Sequence, residues 1–137
     1  WATIEILAST GGVDLWYLFP LGMGVLRLLK KSGDIPVAWE EKLDIVFGTD
    51  SWRSRFYQTE KQVDLFGDRE SIRRTVDQKH LDEFVHERLK SCFGKNVAKG
   101  LILTNSKSSP LYLLCFAASN ERGAAPALRI AKSILND

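Results

Sequence analysis

The segment from Val13 to Arg27, VDLWYLFPLGMGVLR, limits what this chain can fold into more than any other. Val13 to Phe19 is almost continuously apolar with one acid, Asp14, a pattern that predicts a strand covered on both faces. Pro20 lacks the N–H that a central ladder needs, so the strand ends there and the chain turns at Leu21-Gly22. Val25, Leu26, Leu28 and Leu29 then predict the apolar face of a helix that closes at Lys30, Lys31 and Gly33, cations where the helix dipole favours them. A strand running through a tight turn into a helix is one joint of an α/β sheet.

The chain's 137 residues suit one domain with a real core. Its 45% apolar and 26% charged residues are ordinary for a globular protein and speak against a disordered tail. Nineteen basic residues are interleaved with 17 acidic ones for a net charge of +2, unlike the dense basic stripe of a dedicated nucleic-acid binder. Arg27, Lys30 and Lys31 interrupt the longest apolar run before the ~18 residues that a membrane span requires. The sequence starts at Trp1 with neither an initiator Met nor a basic-then-apolar leader, which points to a fragment or a processed product. Cys92 and Cys115 lie in no CxxC pair and at no metal-ligand spacing from a His, and read as core thiols of a reducing, cytoplasmic protein.

Around that joint, Ile4, Leu7 and Ala8 predict a short helix stopped by Gly11-Gly12. Pro36 opens a helix carrying Trp39, Leu43, Val46 and Phe47 on one side, with Gly48 as its stop. Thr49 or Asp50 caps a further short helix bearing Trp52, Phe56 and Tyr57. From Gln58 to Gln78 the chain is polar apart from Val63, Leu65, Phe66, Ile72 and Val76, and reads as a long surface excursion with a helical turn or two. His80 to Phe93 is the clearest helix, with Leu81, Phe84, Val85, Leu89, Cys92 and Phe93 at helical spacing and Gly94 as its stop. Gly100–Asn105 and Leu111–Ala118 are apolar runs around a Ser/Pro-rich loop, which predicts an antiparallel hairpin in the same sheet as Val13–Phe19. A last amphipathic helix, from Ala124 to Leu135, admits Pro126 only in its first turn.

A strand, a helical crossover and a terminal hairpin are how a class I methyltransferase-like sheet finishes. The runs VDLWYLFPLGMGVLRLL, FGTDSWRSRFY, ERLKSCF and NSKSSPLYLLCFAASNERG resemble, block by block and in order, the second half of the three-Cys-motif partner protein family, TcmP, and the resemblance covers essentially the whole chain. Two positions depart from the family pattern: Leu26 stands where an Asn precedes the helix arginine, and Glu121 where a Pro follows Ser-Asn. The resemblance implies an α/β fold, the C-terminal half of a class I methyltransferase-like Rossmann fold. It further implies a small mixed three-stranded sheet, one strand plus an antiparallel hairpin, packed with helices in a single domain or fragment spanning residues 1–137. It also implies a bacterial or phage protein working beside a three-cysteine-motif, radical-SAM-like partner. The family's N-terminal acidic, glycine-rich block is not among these residues. An S-adenosylmethionine site in such a fold lies at that first strand and its glycine turn. The chain is therefore expected to hold no cofactor by itself, and S-adenosylmethionine only together with the missing N-terminal half.

Phe19, Pro20, Gly22 and Arg27 sit just beyond the carboxyl end of the strand, where open α/β sheets place ligands, and form the candidate substrate- or partner-binding set. Packing by Phe19, turn formation by Pro20 and Gly22, and an ion pair at Arg27 are the competing structural readings. Trp52, Arg53, Arg55, Arg73 and Arg74, with Arg69 nearby, form a second candidate set, a nucleic-acid face that combines stacking with phosphate contacts. Acids at Asp50, Glu60, Asp64, Asp68 and Glu70 dilute it toward an ordinary solvated face. His80 and His86 read as surface, and Asp82-Glu83 as a complement to a helix N-terminus. No catalytic triad and no metal site can be read from spacing. The expected role is interaction or scaffolding without turnover in isolation, possible self-association or pairing with the missing half included. Two alternatives stand beside it: the substrate-binding half of an S-adenosylmethionine-dependent modifying enzyme, and a nucleic-acid-binding module.

Overall fold

The computed structural model describes residues 1–64 and 67–135. In chain order the elements are α1 (Ala2–Ser9), β1 (Asp14–Pro20), a single π-type turn (Gly22–Leu26), α2 (Val37–Phe47), α3 (Trp52–Phe56), β2 (Tyr57–Asp64), β3 (Gly67–Arg74), α4 (Gln78–Phe93), β4 (Val97–Thr104), β5 (Pro110–Ala118) and α5 (Ala124–Leu135). The protein is mixed α/β. Its main sheet has the order β1-β5-β4, and β2-β3 form a separate two-stranded ribbon.

The last strand takes the centre of the sheet and is buried on both faces, with Leu113, Cys115, Phe116, Ala117 and Ala118 all buried. It pairs antiparallel with β1, from Asp14 opposite Ala118 to Pro20 opposite Tyr112, and antiparallel with β4. The terminal hairpin is formed as its two apolar runs predict. The sheet is antiparallel in both ladders rather than mixed, because β5 separates the two strands that run in the same direction.

One face of β5 meets the larger core, where Phe19, Leu113, Cys115 and Ala117 pack with Leu43 and Phe47 of α2 and with Leu81, Val85 and Leu89 of α4. Phe47 is its hub, with ring centroids 5.6 Å from Phe19, 5.4 Å from Phe56 and 5.3 Å from Phe84. The other face is covered by α5, whose Ala124, Ala131 and Leu135 meet Ala98, Phe116 and Ala118. That cover stops short of β1, where Trp16 is 42% and Leu18 47% exposed. The strand expected to be covered on both faces is thus an edge strand with one open face.

Two further expectations are corrected. The helix after β1 does not continue to Lys31: the Leu26 N–H bonds the Leu21 carbonyl at 2.8 Å, giving one wide turn, and Leu28 and Leu29 then both bond back to Val25. Gly22 and Gly24 weaken a regular helix here, and each is held close to its surroundings: a Cβ at Gly22 would fall 2.4 Å from the Pro110 carbonyl oxygen, and one at Gly24 2.9 Å from Pro20. Leu21, Val25 and Leu29, four apart, are driven into the core instead. The polar stretch from Gln58 is not a loop with helical turns but the β2–β3 ribbon, in register from Tyr57 opposite Arg74 to Asp64 opposite Gly67. Cross-strand ion pairs such as Lys61–Glu70 link its strands. Leu65 and Phe66 lie outside the described residues.

Candidate functional site

The first candidate set does not come together as a site. Phe19 is fully buried against Phe47 and Tyr17. Pro20 closes the β1 ladder, and Gly22 is the close-approach point against Pro110. Only Arg27 is exposed, and it stands on the wall of a cleft of about 1190 Å³.

The second set is scattered. Trp52 is 1% exposed, its indole N–H donates to Asp44 Oδ1 at 2.7 Å, and its ring stacks on Phe47, so it offers no platform to a base. Arg53 lies over the Trp52 ring and pairs with Glu40, while Arg55 pairs with Glu87 at 3.2 Å. Arg73 sits 3.9 Å from Glu60 across the ribbon. Arg74 turns the other way, donates through Nη1 to the Leu29 carbonyl at 2.7 Å, and lines the same cleft as Arg27. The Arg69 side chain lies outside the described residues.

Three segments remote in sequence build the cleft: residues 26–31 after β1, residues 74–83 from the end of β3 into α4, and residues 99–102 of β4. The turn after β1 contributes Lys30 and Lys31 beside Arg27, and α4 contributes Asp77, Lys79, Asp82 and Glu83. Helix α4 starts where it does because Asp77 caps it: Oδ1 accepts the His80 backbone N–H at 3.0 Å and lies 2.7 Å from His80 Nδ1. The His80 backbone N–H holds the Asp77 carboxyl below its usual range, with the His80 ring adding to the effect.

A β-bulge shapes the third wall. Ala98 pairs with Phe116 and Leu101 with Leu114, so Lys99 and Gly100 together stand opposite the one residue Cys115. The bulge brings Gly100 under α4, where a Cβ would fall 2.6 Å from Leu113 and 2.9 Å from Asp82 Oδ1. Glycine is the residue that lets the Asp82 carboxylate approach the strand. Burial raises the Asp82 carboxyl above its ordinary value against the opposing effects of His86 and Lys99, and Oδ1 has no hydrogen-bond partner among the described residues. Burial, with Asp82 nearby, pushes the Cys115 thiol up to about 12, so it is a protonated core thiol at neutral pH and no nucleophile.

Sequence reading singled out Arg27 and Arg74 but not the cleft they share. A signal for its third wall was present: Lys99-Gly100 inside the apolar run VAKGLIL is the kind of interruption that marks a bulge. Among the described residues no group of three or more His, Cys, Asp or Glu side chains is placed to hold a metal ion, and no helix is long and apolar enough to cross a membrane. No family model matches the chain, and neither the curated proteins nor the solved structures yield a match.

Proposed function

We propose that this chain is the C-terminal half of a three-Cys-motif partner protein. In this reading it serves as the interaction or scaffold part beside a three-cysteine-motif, radical-SAM-like protein, and it carries out no turnover in isolation. The observation that carries the reading is the strand order β1-β5-β4, with the last strand antiparallel between the other two and β1 left as an edge. That is the order in which a class I methyltransferase-like Rossmann sheet ends, and β1 is the strand to which the rest of such a sheet would attach. No other strand among the described residues pairs with the outer side of β1, and Trp16 and Leu18 stand exposed beside it, a surface suited to association.

Co-expression with a three-cysteine-motif, radical-SAM-like protein tests the proposal. The expected result is a stable complex on size-exclusion chromatography that Trp16→Lys with Leu18→Lys disrupts. Absence of a complex, or one indifferent to both substitutions, overturns it. A second reading, the substrate-binding half of an S-adenosylmethionine-dependent modifying enzyme, is favoured by the cleft that follows β1 and holds Arg27. Methyl transfer from S-adenosylmethionine by this chain together with an N-terminal half carrying the glycine-rich turn separates the two: turnover supports the second reading, and its absence supports the first.

A further inference from the structure

The cleft between the turn after β1, the start of α4 and the bulge of β4 has a floor and a rim of different chemistry. The floor is aliphatic, made by Leu26, Leu29, Val76, Leu101 and Ile102. The rim carries six cations, Arg27, Lys30, Lys31, Arg74, Lys79 and Lys99, against three carboxylates. Two of the carboxylates are engaged by neighbours and the third is partly buried. Asp77 is engaged by the N-terminus of α4, Glu83 lies 3.9 Å from Lys79, and Asp82 is tucked against Gly100, where burial disfavours its charged form.

The cations are less spent. Arg74 is fixed by the Leu29 carbonyl and Lys30 lies over the Trp39 ring at 5.3 Å, so both are positioned without losing their charge. Arg27 and Lys31 are exposed and form no ion pair among the described residues. The field in the cleft is therefore positive at the side where the two open cations stand.

The geometry points to a binding site for a phosphorylated small molecule of nucleotide size, its phosphates on Arg27, Lys31 and Arg74 and its base on the aliphatic floor. At about 1190 Å³ the cleft exceeds the ~300–1,000 Å³ of ordinary small-molecule sites, leaving room for a nucleotide with water around its phosphates. Guanidinium groups match phosphate oxygens in pairs, and ammonium groups add charge without fixed direction. A nucleic-acid strand is the poorer fit, because no aromatic ring lines the cleft among the described residues and sequence-tolerant strand binding relies on stacked rings.

The site is tested on the chain alone, so its failure is separable from failure of the partner complex. The probes are ATP, GTP, inorganic triphosphate, adenosine and a short single-stranded oligonucleotide, titrated calorimetrically at low salt. The expected result is one-to-one binding of a nucleoside triphosphate, about tenfold tighter than inorganic triphosphate or adenosine. Arg27→Glu with Lys31→Glu is expected to weaken it by at least about tenfold with an unchanged circular dichroism spectrum, while Arg27→Lys with Lys31→Arg retains most of it. No binding of either nucleotide, equal binding of inorganic triphosphate, tighter binding of the oligonucleotide, or indifference to the charge reversal would each overturn the assignment.

Discussion

Tyr57 ties the start of β2 to the turn after β1 through one oxygen. It is the last turn of α3 becoming the first residue of β2, it is buried, and its hydroxyl donates to the Lys30 carbonyl at 2.8 Å. Burial pushes its phenol up to about 12, against the opposing pull of Arg74 and Arg53. A phenol that is harder to ionise in the folded state than in the unfolded one favours folding only while it stays protonated. Its contribution is complete below the ordinary tyrosine value near 10 and is lost as pH rises from about 10 through about 12. Tyr57→Phe is expected to cost about 1 kcal/mol at neutral pH through the lost hydrogen bond, and to flatten the fall in stability between those pH values. Urea unfolding of both proteins across that range checks it, and an unaltered alkaline limb would show that another group governs it. At this scale sequence was a partial guide. Arg27 was legible because it is a lone cation after an apolar turn, whereas the Asp82–Gly100 contact joins residues whose proximity depends on a bulge and on the packing of α4.

Among the elements, those stopped by a local residue were readable and those held by distant contacts were not. Gly48 ends α2 in the left-handed region at φ +67°, as its position after Phe47 suggests. A Cβ there would also fall against the Trp1 ring, which further contacts the Val46 carbonyl, the Tyr17 ring and the Arg88 guanidinium. Arg88 in turn donates to the carbonyls of Phe47 and Gly48, so one arginine of α4 satisfies the open end of α2. Gly48→Ala is expected to destabilise by at least about 1–2 kcal/mol from backbone strain alone and to shift tryptophan fluorescence as Trp1 is displaced. A stability within error of the parent protein would place Trp1 elsewhere. The β4–β5 hairpin and α5 were legible because apolar runs, a Ser/Pro loop and helical spacing all agree. The β2–β3 ribbon was not, because its strands carry charge pairs where a half-buried strand would show apolar alternation. The shortened helix after β1 escaped for the opposite reason: its apolar spacing is helical, but the glycines let the backbone widen at the first turn.

In the whole molecule, two cores share one strand, and the β1 edge of the sheet carries exposed apolar side chains. The exposed Trp16 and Leu18, with the unpaired outer side of β1 beside them, predict self-association of the isolated chain. A stable pairing would bury on the order of 1,200 Å² or more in total. Sedimentation at micromolar concentration is expected to show a dimer or larger species that Trp16→Lys with Leu18→Lys converts to monomer. A monomer at every concentration would mean that the edge protects itself. That the hairpin and Val13–Phe19 share one sheet was legible from their apolar runs. The open face of β1 was not, since an apolar run records the affinity of a strand for cover and not whether cover arrives.

The pairing of β1 with β5 joins the two ends of the sequence: Ser119 Oγ accepts the Val13 N–H at 2.7 Å and lies 3.0 Å from the Val13 carbonyl, 106 residues away. Closing a loop of that length costs about 4 kcal/mol of chain entropy before any contact is made. Helix α4 and the β4–β5 hairpin are local and can form early, whereas the partner of β1 among the described residues is β5, the last strand of the sheet to be made. During synthesis, then, the ladder between β1 and β5 closes only after all the residues between them have been made, and in that interval the side of β1 that meets β5 is open to a chaperone or to a neighbouring nascent chain.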